Sequence, residues 1–132
     1  MSLSLVRTAL KTRLETISGL NVSKESPDSV GKLPAAIVTL ATADYDVALG
    51  ATTVGWSFKV LLLIGERDSP TAHATLDGYL AKSGSTSIKA AVEGGSVGDF
   101  SHVRRAENVG FISYRGTSFV GAEFIVDVVD SS

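Results

Sequence analysis

Residues 52–64, TTVGWSFKVLLLI, are the stretch that decides the fold class. Every second residue from Val54 onward is large and apolar, which is typical of a β-strand with one buried face. The intervening positions are polar or glycine as far as Lys59 and become apolar at Leu61 and Leu63. We therefore predict a long strand, one half of which is covered on both faces.

The segments on either side of this strand predict helices. Apolar residues recur every three or four positions over residues 3–18, as in an amphipathic helix, and Gly19 follows as a typical residue after a helix end. Ser69-Pro70 is typical of a helix start, because proline is tolerated at the first helical position. A second, shorter helix is predicted over residues 87–92, and residues 94–101 are predicted as a loop.

Further strands are predicted over residues 21–24, 35–42, 108–114 and 117–129. The last two flank Arg115-Gly116 and predict a hairpin, with Phe111 opposite Val120 and Val109 opposite Ala122. The order α-β-β-β-α-α-β-β predicts a single α+β domain spanning residues 1–132. Its mixed, mainly antiparallel β-sheet is packed by the N-terminal helix and one or two central helices.

The second face of the sheet is the open question of this fold. Leu61 and Leu63 make it apolar on the long strand, and Phe119, Ile125 and Val129 do so on the last strand. Either the N-terminal helix covers one face and the later helices the other, or a neighbouring subunit covers the second face. The sequence favours neither arrangement.

Composition excludes several classes of function. The 132 residues include no cysteine and two histidines, which argues against a thiolate zinc site, a cysteine nucleophile and a multi-histidine metal centre. Twelve basic residues stand against fourteen acidic ones, so the strongly basic balance of a dedicated nucleic-acid binder is missing. No apolar run is long enough for a signal peptide or a membrane span, and we expect a soluble protein made in a cytoplasm.

No motif predicts a reaction. Asp99, Ser101 and His102 hold the residue types of a hydrolytic triad, but neighbours in sequence seldom face one another as a triad requires. Asp44 and Asp46 alone supply too few oxygens for a hard cation. Residues 94–98, GGSVG, follow a helix instead of preceding one, unlike a phosphate-binding loop. We expect no catalytic residue, no cofactor and no metal.

The ordered segments resemble the tail terminator proteins of long-tailed bacteriophages. The resemblance covers nearly the whole chain and rests on the order, size and character of seven segments, with no invariant catalytic motif. These segments are VRTALKTRLETI (6–17), GLNVS (19–23), LPAAIVTL (33–40), VGWSFKVLLLIG (54–65), SPTAHATLDGYL (69–80), SIKAAV (87–92) and VGFISYRGTSFVGAEFIVDVV (109–129). Related neck and tail-completion proteins share much of this pattern.

The resemblance implies a structural subunit of the virion and not an enzyme. Such a subunit is assembled in the host cytoplasm into a homo-hexameric ring at the head-proximal end of the tail. The ring caps the tail tube protein, stops its polymerisation and provides the surface for the head-tail connector or head-completion protein. DNA passes through the lumen without sequence-specific binding, and no membrane is involved.

Two sets of residues are predicted to contact partners. The connection between the second and third strands, residues 43–53, carries Asp44, Tyr45 and Asp46, and a long hairpin tip can reach beyond the subunit body. Arg104 and Arg105 are the second set. Two other functions stay open: a head-completion or neck protein that binds the portal connector, and a small-molecule-binding or hydrolytic α+β domain using His102.

Overall fold

The computed structural model describes residues 3–23, 32–45, 53–66, 70–95, 97, 100–114 and 116–131. Its helices and strands have the predicted order α-β-β-β-α-α-β-β, and the α+β class is confirmed. The elements are α1 (Leu3–Leu14), β1 (Asn21–Ser23), β2 (Ala35–Tyr45), β3 (Thr53–Glu66), α2 (Pro70–Leu80), α3 (Ile88–Glu93), β4 (Phe100–Tyr114) and β5 (Thr117–Ser131).

The strands form one five-stranded sheet in the order β1-β2-β3-β5-β4. β1 pairs with β2 in parallel, and the other neighbouring pairs are antiparallel. The stretch that decides the fold class, now β3, lies at the centre of the sheet, between β2 and β5. Its even-numbered apolar residues from Phe58 to Ile64 are buried, as the alternation predicts.

All three helices in the described part of the chain pack on the same face of the sheet. One apolar cluster joins residues of α1, α2 and α3 to the even-numbered residues of β3 and β5. Each helix contributes three fully buried or nearly buried apolar side chains: Val6, Leu10 and Leu14; Ala72, Leu76 and Tyr79; Ile88, Ala91 and Val92. Of the two arrangements that the sequence leaves open, the one with helices on both faces is therefore not adopted.

The opposite side of the sheet, which we call the open face, carries a second and smaller apolar cluster. Side chains of opposite residues in neighbouring strands share a face, so the register assigns the cluster to this side. Its members are Ile37, Leu63, Ile112, Tyr114 and Phe119, with Leu61 packed against them. No residue of α1, α2 or α3 belongs to it.

Two strands, β2 and β4, extend past their predicted ends by three residues or more, because β-bulges interrupt the alternation from which strands are predicted. β2 continues through Tyr45 past a register shift between Leu40 and Thr42. β4 begins at Phe100, in the predicted loop, and contains register shifts between Val103 and Arg105 and between Glu107 and Gly110. β4 is also an edge strand, where charged residues are common.

The hairpin register is confirmed at one predicted pair and wrong at the other. Phe111 lies opposite Val120, as predicted. Val109 is not a regular partner of Ala122, because the bulge places both Asn108 and Val109 between the pairs on either side. Asn108 adopts φ 52°, a conformation that asparagine tolerates better than most residues.

Helix α1 ends at Leu14, four residues before the predicted end at Ser18. The chain tightens there into three-residue turns, in which the backbone N–H groups of Thr16 and Ile17 donate to the carbonyls of Arg13 and Leu14. Gly19 has φ 83°, the left-handed conformation that glycine supplies after a helix.

Candidate functional site

Ion pairs cover the middle of the open face, on which α1, α2 and α3 do not pack. Three pairs join nitrogen and carboxylate oxygen: Lys59 Nζ to Glu123 Oε2 at 3.3 Å, Arg104 Nε to Asp127 Oδ2 at 3.1 Å, and Arg105 Nε to Glu107 Oε2 at 3.1 Å. Ile125 lies between Lys59 and Arg105 in the register and is only 5% exposed. The long stems of the two cations are thus placed to cover an apolar residue while their charged ends reach solvent.

A shallow groove of about 210 Å³ lies beside these ion pairs, toward the end of the sheet where β3 begins. The described residues that line it are Thr42, Asp44, Gly55, Trp56, Ser57, Arg104, Asp127, Val128 and Val129. We call it the polar groove. It brings together Asp44 and Arg104, one residue from each of the two predicted contact sets. Asp127, which pairs with Arg104, was not predicted as a site residue, although its position among apolar neighbours places a charge on the open face.

Asp44, Tyr45 and Asp46 were predicted on a projecting connection, and this placement is wrong for the first two. Asp44 and Tyr45 belong to β2, where they pair with Gly55 and Val54 of β3. The bulge after Leu40 lets the strand pairing continue past the predicted end of the strand. Asp44 is exposed, and Asp46 lies outside the described residues.

Arg104 and Arg105 lie where β4 bulges, and both are half exposed. The bulge separates their roles. Arg104 reaches across to Asp127 of β5 and lines the polar groove, whereas Arg105 pairs with Glu107 on its own strand.

A separate polar cluster ties α3 to β4. The Oε2 atom of Glu93 accepts from Lys89 Nζ at 2.6 Å and from the backbone N–H of Val103 at 2.8 Å, and it lies 3.2 Å from His102 Nδ1. Partial burial raises the pKa of Glu93, but the hydrogen bonds from Lys89 and Val103 and the nearby charges outweigh it, so the pKa lies below its ordinary value. The sequence gives no local signal for this cluster, because Glu93 and Val103 meet only through the packing of α3 on the sheet edge.

The hydrolytic arrangement considered from sequence is not assembled by the described residues. Ser101 and His102 are neighbours on β4, and their side chains therefore leave opposite faces of the strand. Ser101 Oγ lies 3.5 Å from the carbonyl oxygen of Val92, and His102 contacts Glu93. Asp99 lies outside the described residues. Among the described residues there is also no group of three or more His, Asp or Glu side chains that could hold a metal ion.

Gly94 and Gly95 have structural roles that explain the glycine-rich stretch after α3. Gly94 caps the helix, and its N–H donates to the carbonyl of Ala90. A Cβ atom on either glycine would crowd the side chain of Arg13. The Nε of Arg13 donates to the carbonyl of Ala91 at 2.9 Å, so these glycines let α1 and α3 approach each other.

Comparison with known proteins adds no relative: no family model matches the chain, and no curated protein matches it significantly. Within the described residues, no helix is long and apolar enough to cross a membrane. The fold and the open face are therefore the observations from which a function can be argued.

Proposed function

We propose that the chain is a non-enzymatic ring subunit that caps the tail tube of a long-tailed bacteriophage. In this role the ring, which we expect to be hexameric, stops tube polymerisation. It also provides the surface to which the head attaches through its connector or a head-completion protein. DNA passes through the lumen of the ring without sequence-specific binding.

The observation that carries the proposal is the asymmetry of the sheet. In the described part of the chain, α1, α2 and α3 cover one face, while the open face holds ion pairs and the polar groove. A subunit with two different sides can associate head to tail, and such contacts close into a ring when the rotation between neighbours permits. The seven sequence segments that resemble tail terminators are the second support.

The groove itself gives less support to a small-molecule enzyme. It is shallow, most of its described lining residues are polar or glycine, with Trp56, Val128 and Val129 as the apolar ones, and its one described ion pair already involves Arg104. Ligand pockets usually bury most of a small molecule among apolar and aromatic side chains. A broad protein contact suits this surface better.

The test is to add the purified protein to polymerising tail tube protein of the phage that encodes it. We expect shorter tubes, each with a ring at one end in negative-stain electron micrographs, and no effect from heat-denatured protein. Tubes of unchanged length without rings would contradict the proposal. Binding to purified portal connector in place of tubes would instead indicate a head-completion protein.

A further inference from the structure

Arg7 and Asp44, on opposite sides of the sheet, are among the charged side chains without an ion-pair partner in the described part of the chain. Arg7 belongs to α1 on the helical side, and its Nε is buried with no hydrogen-bond acceptor among the residues that the structure describes. Asp44 belongs to β2, lines the polar groove and is exposed. No ion pair between described residues involves either one, whereas most other charged groups of the open face are paired.

The polar groove has a net negative charge. Its described lining contains the carboxylates of Asp44 and Asp127 and the guanidinium of Arg104. Since Arg104 and Asp127 neutralise each other at 3.1 Å, the charge of Asp44 is left uncompensated among the described lining residues. The groove therefore favours a cationic group on whatever covers it.

Arg7 lies at the border of the buried stripe of α1. Val6 and Leu10, which are fully buried, are its neighbours in the sequence and on the next turn. The residue is half-buried, and its Nε has almost no accessible surface, so only the part of the side chain that stays accessible can meet an acceptor from another copy. A carboxylate is the best acceptor, because its two oxygens match the planar donors of a guanidinium.

We propose that Arg7 of one copy binds Asp44 of the next, with α1 of the first copy seated on the polar groove of the second. This inference rests on the proposed ring function and names its subunit contact. The occupant is a second copy because this single contact satisfies both charges and uses the two different sides of the same molecule. Such a contact is heterologous, and repetition produces a ring or a filament.

Cysteine cross-linking tests the contact directly, because the chain contains no cysteine of its own. Ser4→Cys lies one turn from Arg7 on α1, and Thr42→Cys lies two residues from Asp44 on the open face, so both charges are kept. The full-length double variant is incubated with tail tubes, mildly oxidised and run on a non-reducing gel. The matched control combines Thr42→Cys with Lys82→Cys, an exposed lysine beyond the end of α2.

Head-to-tail contact predicts a series of covalent oligomers that ends at the size of the ring. Each single variant can give no more than dimers, and the control pair should give no series. Adding Arg7→Asp to the cross-linking variant should abolish the series, and adding Asp44→Arg as well should restore it. Circular dichroism of every variant checks that it is folded, which matters most for Arg7→Asp because Arg7 is half-buried, whereas Asp44 is exposed.

The outcomes separate this contact from the proposed function. If the wild-type protein caps tubes but the double-cysteine variant gives only dimers, this contact is wrong and the function stands. If the oligomer series forms but no tube is capped, the contact is correct and the proposed function is wrong. If the charge exchange does not restore the series, the pairing of Arg7 with Asp44 is overturned.

Discussion

At the scale of single residues, Glu93 is the side chain with the most polar contacts in the described part of the chain. Its carboxylate joins Lys89 of α3 to the backbone and His102 of β4. The N–H of Val103 points away from β5, and Glu93 satisfies a backbone donor that an edge strand would otherwise leave to water. This contact fixes the end of α3 against the sheet.

Replacing Glu93 with Gln should lower the free energy of unfolding by about 1 kcal/mol near neutral pH, because charge-assisted hydrogen bonds are lost. The folded state lowers the pKa of Glu93 below 4.5, so its contribution is present above that pH and is lost as the pH falls through the folded pKa. The difference between wild type and variant should therefore shrink in acid. Urea unfolding at several pH values measures this.

Glu15→Gln is the matched control, since Glu15 pairs with Lys11 at an exposed helix position and its side chain is 48% exposed. We expect a change of less than about 0.5 kcal/mol for this exposed pair. An equal loss in both variants, or a loss in Glu93→Gln that persists unchanged in acid, would contradict the assigned role of Glu93.

Gly121 illustrates a residue whose role the sequence does not reveal. A Cβ atom there would collide with the carbonyl oxygen of Leu62 on the neighbouring strand. The register shift between Leu63 and Gly65 lies beside this approach. Glycine is therefore required by the close approach of two backbones and not by its own φ angle.

Gly121→Ala should destabilise the protein by about 3 kcal/mol, because the central sheet has to move apart. Gly78→Ala is the control: its Cβ would meet only the side-chain oxygen of Thr86, at 3.1 Å, and alanine favours the helix. We expect the control to change stability by less than about 1 kcal/mol. Thermal and denaturant unfolding of both variants would show the contrast, and equal stabilities would refute it.

At the scale of elements, the sequence predicts the helices and strands in which the spacing of apolar residues is uninterrupted. Apolar residues alternate over residues 52–64 and recur every three to four positions in α1. Each spacing indicates an element that packs regularly along one side. β4 could not be read in full, because Arg104, Arg105 and Glu107 give an edge strand a polar character. Its two bulges also shift which residues point inward. The polar groove was not predicted either, because bulges in β2 and β4 determine which of its residues share a face.

Helix α3 is only six residues long, so we expect it to depend strongly on its cap. Ser87 is 1% exposed, accepts from the N–H of Ala90 at 3.1 Å and donates to the carbonyl of Ala81. Ser87→Ala should cost about 1 to 2 kcal/mol, because a cap is lost and buried groups are left unpaired. Ser85→Ala, at an exposed position two residues earlier, should change stability little. Unfolding curves that coincide for the two variants would contradict the capping role.

At the scale of the whole molecule, the accessible surface area indicates whether the isolated chain can be a stable monomer. The accessible surface is 6859 Å², and a folded monomer of 13.7 kDa is expected to expose about 6600 Å². The chain therefore does not expose the excess surface that an obligate oligomer would leave when its partners are removed. Paired charges cover the middle of the open face, and the members of its apolar cluster are buried, so this face tolerates water.

We therefore expect the isolated protein to fold as a monomer. Under the proposed function, a ring would then form only on the tail tube, where many tube subunits would hold copies side by side. Light scattering should give the mass of one chain in dilute solution. The thermal midpoint should not rise with protein concentration, because mass action raises it only when folding and association are coupled. A midpoint that rises steadily over a hundredfold range of concentration would show instead that the open face needs a neighbour for stability. Ring formation would then precede contact with the tube.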